Sequence, residues 1–234
     1  MSEAKVAIVT AAGSGIGEAC ARRLHEDGYT PVLLSRSGSA VEVAEDLGGD
    51  GFEGSVTDPA DLAALVETTA ERYGRIDAVV NNTGHPATGD LLEITDEEWH
   101  EGLDLVLLNT VRMARLVTPI MADQGHGSIV NISTFSAFEP SSAFPVSSVL
   151  RAGLGSFTKL YADRYASAGI RMNTVQPGFV DSYDVDEETR AQIPMERPAR
   201  TEEIADTVAY LLSSESSYVT GQNIRVDGGL TASV

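Results

Sequence analysis

The sequence predicts a doubly wound parallel α/β sheet of about seven strands with helices on both faces, folded as a single domain over residues 1–234. Three observations predict it. Short apolar runs alternate with helical stretches along the whole chain, the order that builds parallel strands through helical crossovers. The first apolar run ends in a glycine-rich turn that opens the first helix. The chain contains no linker, repeat or low-complexity tract, and its length suits one large α/β domain.

Each element has its own justification. Val6-Ala7-Ile8-Val9 reads as a short buried strand, and residues 18–24 have helical spacing and good helix formers. Between them lies Thr10-Ala11-Ala12-Gly13-Ser14-Gly15-Ile16-Gly17. Glycines there let the backbone turn tightly and approach a pyrophosphate, whose charge meets the free N–H groups of the helix start. A second strand is expected over 30–35, a short helix over 41–47 and a weak third strand over 51–56. Asp58 caps a helix running to Tyr73. The fourth strand, 76–80, is stopped by Asn81-Asn82-Thr83-Gly84. A long helical region over 96–121, a strand over 127–133 and a long helix over 146–168 follow. The sixth strand, 170–175, ends at Pro177-Gly178. An acidic, irregular segment spans 181–200, then come a helix over 201–212 and a closing strand over 222–226.

Composition narrows the function classes. Sixteen basic against 35 acidic residues give a formal charge of −19, which argues against nucleic acid or an anionic membrane as partner. Only Lys5 and Lys159 are lysines, so arginine is the default cation. The single cysteine, Cys20, excludes an internal disulfide, fits a reducing cytoplasm and reads as a small buried thiol. No export signal is visible, no apolar run approaches the ~20 residues of a membrane span, and no metal site is expected.

The turn Gly13-x-Gly15-x-Gly17, opened by Thr10, differs from G-x-G-x-x-G. It resembles the T-G-x-x-x-G-x-G turn of the short-chain dehydrogenase/reductase family, with Ala11 in place of the first glycine. Further motifs carry the resemblance in the right order. Asn81-Asn82-Thr83-Gly84 resembles N-N-A-G, and Gly127–Ser133 the family's fifth strand. Residues 170–178 resemble I-R-V-N-x-V-x-P-G, and 219–229 resemble the C-terminal signature. The resemblance implies a Rossmann-like fold and an NAD(P) site along the carboxyl edge of the sheet. Gly13, Ser14, Gly15 and Ile16 would contact the pyrophosphate, with Thr10 and Gly17 completing the turn. Asn82, Thr83 and Gly84 would line the riboses, and Pro177, Gly178, Val180 and Ser182 would flank the nicotinamide. Val56 would face the adenosine end, where Ser55 replaces a frequent acid. After the second strand, Ser35-Arg36 stands where NAD-preferring members place an acid. A guanidinium there suits a 2′-phosphate, so NADP(H) is favoured over NAD(H). The resemblance also implies a homo-oligomer, tetramer or dimer, formed through the two long helices, and a small-molecule substrate.

The catalytic positions depart from the family. Residues 151–159 resemble K-A-x-L-x-x-F-T-K, which fixes the register. The family's lysine position is then Arg151, its tyrosine Ser147, its serine Thr134 and its asparagine Val106, with Asn109 three residues away. Thr134 keeps a hydroxyl, and Arg151 keeps a charge on the helix face of Ser147. Arg151 is also a candidate for the family lysine's hold on the cofactor ribose. Ser147 loses the phenol, whose pKa near ~10 a neighbouring lysine can lower. His85, Glu139, Asp181 and Tyr183 are the alternative acids. Tyr161 and Tyr165 read as packing residues, His100 and His126 as surface ones.

Three functions follow. One is an NAD(P)(H)-dependent oxidoreductase whose substrate, an imine or an activated double bond, needs little help from a tyrosine; Glu139 or Asp181 could steady a cationic substrate. Another is a catalytically inactive nucleotide-binding scaffold or regulatory partner. The third is a non-redox enzyme resembling halohydrin dehalogenases, which the intact glycine turn disfavours.

Overall fold

The computed structural model describes residues 4–233. The elements run β1 (Lys5–Thr10), α1 (Gly15–Glu26), β2 (Tyr29–Ser35), α2 (Ser39–Asp46), β3 (Asp50–Glu53), α3 (Pro59–Tyr73), β4 (Ala78–Asn81) and α4 (Asp96–Leu103). A π-helical turn, Asp104–Leu108, joins α4 to α5 (Asn109–Gln124). Then come β5 (Gly127–Ile132), α6 (Pro145–Tyr165), β6 (Ile170–Pro177), α7 (Glu187–Ala191), α8 (Thr201–Leu212) and β7 (Asn223–Val226). All seven strands are parallel, in the order β3-β2-β1-β4-β5-β6-β7. The chain starts in mid-sheet, winds out to β3 and returns to β4. The carboxyl ends of β1 and β4 therefore flank the switch point where such sheets bind ligands.

Successive side chains of β1 serve opposite cores. Ala7 and Val9 pack with Cys20 and Leu24 of α1 and Val208 of α8, whereas Val6 and Ile8 pack with Leu62, Leu65, Met113 and Met121 of α3 and α5. Helices on both faces explain why the strands read as unbroken apolar runs. Each fully buried Leu or Ile contributes about 1.5–3 kcal/mol. Local chemistry ends the helices: Asp58 accepts the Ala60 N–H at 2.8 Å, and Gly74 closes α3 with φ +69°. Thr95 and Glu98 form a reciprocal capping box on α4.

Some boundaries differ from expectation. β3 stops at Glu53, so Val56 lies beyond the strand, in the turn before α3. β4 begins at Ala78, and Asp77 just before it takes the Val6 N–H with its carboxylate at 2.8 Å. The acidic segment contains the short helix α7. The run Asp96–Gln124 is long and apolar enough, by length and composition alone, to cross a membrane, with mean hydropathy 1.3 over its most apolar window. The apolar residues in it are not continuous, since Asn109, Arg112 and Arg115 interrupt them. Here Met113, Val117 and Met121 place it against the sheet, and Arg112 pairs with Asp104 at 2.6 Å.

A buried polar chain ties the central strands to α6. Asn81 donates to Asn131 at 2.9 Å, Asn131 donates to Thr158 at 3.0 Å, and Thr158 meets the Thr174 hydroxyl at 2.8 Å. It fixes how α6 sits on β4, β5 and β6, and α6 carries Ser147 and Arg151.

Candidate active site

The site begins where β1 becomes α1. The Thr10 hydroxyl donates to Asn82 O at 2.7 Å and accepts the Asn82 N–H at 3.0 Å, while the Asn82 amide donates to Ala11 O at 3.2 Å. The turns after β1 and β4 are thereby stapled together. A Cβ on Gly13 would lie 1.8 Å from Ser39 Oγ, and one on Gly17 2.2 Å from Ala11 O. Only glycine fits either place. Ala11 adopts φ +47°, the left-handed conformation for which glycine is the natural residue. The Ser14 side chain makes no capping bond, which leaves the amides at the start of α1 open to a ligand.

Two cavities open along this edge. The smaller, about 500 Å³, is bounded by Gly13, Ser35, Arg36, Ser55 and Val56. The larger, about 900 Å³, is bounded by Gly15, Ile16, Asn82, Pro177, Gly178, Val180 and Ser182. Ala11, Ser14, Thr83, Gly84 and His85 line both, so they form one continuous groove. Every residue assigned from sequence to cofactor contact lines this groove except Thr10 and Gly17, which shape the turn from behind. Ser35 accepts the Ala40 N–H at 2.9 Å, and Ser55 shares its hydroxyl with Thr57 at 2.8 Å. Arg36 is exposed and forms no ion pair with any described residue.

The floor of the larger cavity holds Thr134, Ser147 and Arg151 together. The Arg151 Nε donates to Ser147 Oγ at 3.2 Å, as the i, i+4 spacing predicted. Its terminal nitrogens donate to Ile132 O at 2.5 Å and Gly84 O at 3.3 Å. Arg151 is 4% exposed, and no carboxylate among the described residues pairs with it. Burial pushes its pKa down to about 10, so it remains a cation at neutral pH. The geometry uses three of five N–H groups. The buried Ser133 hydroxyl on the same cavity has no partner among the described residues.

The alternative acids divide. His85 and Tyr183 meet edge to face at 5.2 Å on the cavity wall. Although solvent touches His85, protein surrounds it on several sides. This desolvation, and then the Arg151 charge, hold its pKa below the ordinary histidine value. Asp181 lines the mouth and accepts the Thr201 N–H at 3.1 Å. Glu139 is elsewhere: its carboxylate accepts the Ala232 and Ser233 N–H groups at 3.0 and 3.3 Å, latching the C-terminal segment. It cannot steady a substrate in this cavity.

Val106 is fully buried and apolar. In the wide π turn the Asn109 N–H reaches Asp104 O, and the Asn109 side-chain amide takes the Leu105 carbonyl. Asn109 is thus committed to its own helix. Cys20 is buried, with its thiol pushed up to about 12. Tyr161 is buried on Thr118 at 2.6 Å and against Tyr165, as expected of packing residues. His100 and His126 are exposed, His126 reaching Asp77 at 2.8 Å. Among the described residues no cluster of metal-ligating side chains exists. Sequence reasoning missed Phe135, Phe144 and Phe179, which wall the larger cavity. Their adjacency to Thr134, Ser147 and Gly178 was the available signal.

A model of the family described as enoyl-(acyl carrier protein) reductase matches residues 10–231. The chain belongs to the short-chain dehydrogenase/reductase family. It is 34% identical to the 3-oxoacyl-(acyl-carrier-protein) reductase FabG of Thermotoga maritima, with 97% of this chain and 98% of the relative covered. Against FabG of Escherichia coli the figures are 33%, 97% and 98%, and against that of Staphylococcus aureus 34%, 98% and 99%. Membership makes the chain an oxidoreductase of Rossmann-like fold that uses a nicotinamide cofactor. The residues present fit that group: the glycine cradle, the uncapped helix start and the continuous groove each match one part of a dinucleotide.

Proposed function

We propose that this protein is an NADPH-dependent reductase of carbon–carbon double bonds conjugated to a carbonyl group. The observation that carries the reading is Arg151, a buried cation that pairs with no carboxylate among the described residues, on the cavity floor beside Ser147 where the family has a tyrosine. Bound in the groove, the nicotinamide would supply hydride. Ketone reduction also needs a proton at oxygen, and neither Ser147 nor an arginine is a suitable acid. Reduction of a conjugated double bond instead places negative charge on the carbonyl oxygen, and carbon can take its proton from water. A guanidinium at about 4 Å from that oxygen stabilises the charge by about 4 kcal/mol at an effective dielectric of about 20. Thr134 and Ser147 would add hydroxyl donors.

The same cation disfavours an iminium substrate, and Glu139 is not there to offset it. Arg36, which forms no ion pair with any described residue, would hold the 2′-phosphate. Gly13, Ser14, Gly15 and Ile16 would hold the pyrophosphate, Asn82, Thr83 and Gly84 the riboses, and Pro177, Gly178, Val180 and Ser182 the nicotinamide. The names of the relatives suit an acyl-derived carbonyl compound as substrate. A cytoplasmic homo-oligomer belongs to the same reading, and the exposed Val149 and Leu160 on α6 suit an association face.

The test is titration with NADPH and NADH by cofactor fluorescence, then NADPH oxidation with an enone, the matching saturated ketone and a cyclic imine. Tight NADPH binding with turnover of the enone alone is the expected result. Binding without turnover of any substrate leaves a non-catalytic nucleotide-binding protein, and faster reduction of ketone than enone refutes the reading.

A further inference from the structure

We propose that the larger cavity selects substrates whose conjugated double bond carries an aromatic ring, and that Phe135, Phe144 and Phe179 form the ring's subsite. The substrate class named here rests on the reductase reading above. The three side chains come from separate segments: the turn after β5, the residue before α6 and the residue after the Pro177-Gly178 end of β6. They converge all the same. The Phe135 and Phe179 ring centres are 5.4 Å apart at 47°, and Phe135 meets Phe144 edge to face at 6.3 Å. Each ring is only partly buried, and each faces the cavity. The chain has six phenylalanines, so half of them stand at one cavity.

The same space has a polar lining as well. Thr134, Ser147 and Arg151 offer donors to an oxygen; Asp181, Asp184 and Asp186 also line the cavity, and none of them pairs with Arg151. A ligand that satisfies both linings has a hydrogen-bond acceptor at one end and a flat apolar group at the other. Aromatic rings favour edge-to-face and tilted neighbours at these separations, so a ring gains more from the cage than an alkyl chain of equal area. A cavity of about 900 Å³ has room for such a ligand beside the nicotinamide end of a cofactor.

The experiment compares trans-cinnamaldehyde with crotonaldehyde in NADPH oxidation, and measures binding of the non-reducible 3-phenylpropionamide by calorimetry in the presence of NADP. Phe135→Leu and Phe179→Leu keep apolar volume and remove the ring, and thermal melting with NADPH titration verifies that each variant is folded. The wild type is expected to show a KM for cinnamaldehyde at least about ten-fold below that for crotonaldehyde. Each leucine variant is expected to raise that KM, and the amide Kd, by about three- to ten-fold while moving the crotonaldehyde KM little. Equal KM values for the two aldehydes, or leucine variants that bind the amide like the wild type, overturn the subsite and leave the reductase reading standing. Amide binding that needs the rings, with no turnover of either aldehyde, supports the subsite and overturns the reductase reading. No amide binding at all overturns the subsite.

Discussion

Replacing Arg151 with methionine removes the buried cation while keeping a long, flexible side chain in its place. The fall of its pKa from 12.5 to about 10 corresponds to about 3 kcal/mol of penalty on holding the charged form in the fold. Methionine lifts that penalty but strips donors from the carbonyls of Ile132 and Gly84, at about 1–3 kcal/mol each. The two effects oppose each other, so folded stability is expected to fall by no more than about 3 kcal/mol and Tm by no more than about 12 °C. Catalysis has no such compensation. Loss of about 3–4 kcal/mol of oxyanion stabilisation lowers kcat for an enone by about 100- to 1000-fold. NADPH oxidation gives kcat and KM, while thermal melting and cofactor fluorescence give the fold and the NADPH Kd. A folded R151M enzyme retaining kcat within about ten-fold refutes the reasoning. So does a kcat loss wholly explained by failure to bind NADPH, since the cation would then serve the cofactor and not the substrate oxygen.

Other outcomes follow from single features. Ala11→Gly relieves the left-handed alanine and is expected to raise stability by about 0.5–1 kcal/mol, seen as a Tm rise of about 1–4 °C. Arg36→Glu is expected to weaken NADPH binding about 100-fold and leave NADH binding within about three-fold, measured by fluorescence titration. Gly13→Ala drives a methyl group into Ser39 Oγ and is expected to weaken NADPH binding at least about ten-fold, with partial recovery when Ser39→Gly is added. Asp77 supplies a pH dependence. Burial raises its pKa, but hydrogen bonds from Arg75, the Val6 N–H and His126 outweigh that and leave it below the ordinary 3.8. Its contribution is therefore present in full above the ordinary carboxylate range and lost as pH falls through the lower folded value. Urea unfolding of the wild type and Asp77→Asn should differ most near neutrality, with the difference shrinking as pH falls below the ordinary 3.8.

What the sequence revealed was whatever is encoded locally. The glycine turn, the strand-helix alternation and the four-residue step from Ser147 to Arg151 are short-range patterns, and each took its expected place. Contacts between distant segments stayed hidden. Glu139 lies a few residues past Thr134 and looked like an active-site acid, yet its partners are Ala232 and Ser233, more than ninety residues on. The Phe135, Phe144 and Phe179 cluster escaped notice because each ring belongs to a different loop. Thr10 opens the turn as expected, and its hydroxyl binds the Asn82 backbone. Spacing cannot tell a side chain facing the ligand from one that pins β1 to Asn82. Val106 could be located but not understood, since the π turn around it leaves no mark in the residue pattern.

That wide turn has a consequence for the smaller cavity. Leu105 sits within it and, with Glu101 and Gly102 just before it, walls the cavity that holds Arg36 and Ser55. The depth of that slot is therefore governed by helix phase. One residue more or fewer in the turn would rotate everything beyond it by about 100°, swinging Met113 and Val117 off the sheet as the wall shifts. The turn acts as a spacer, coupling how α5 seats on the sheet to the depth of the smaller cavity.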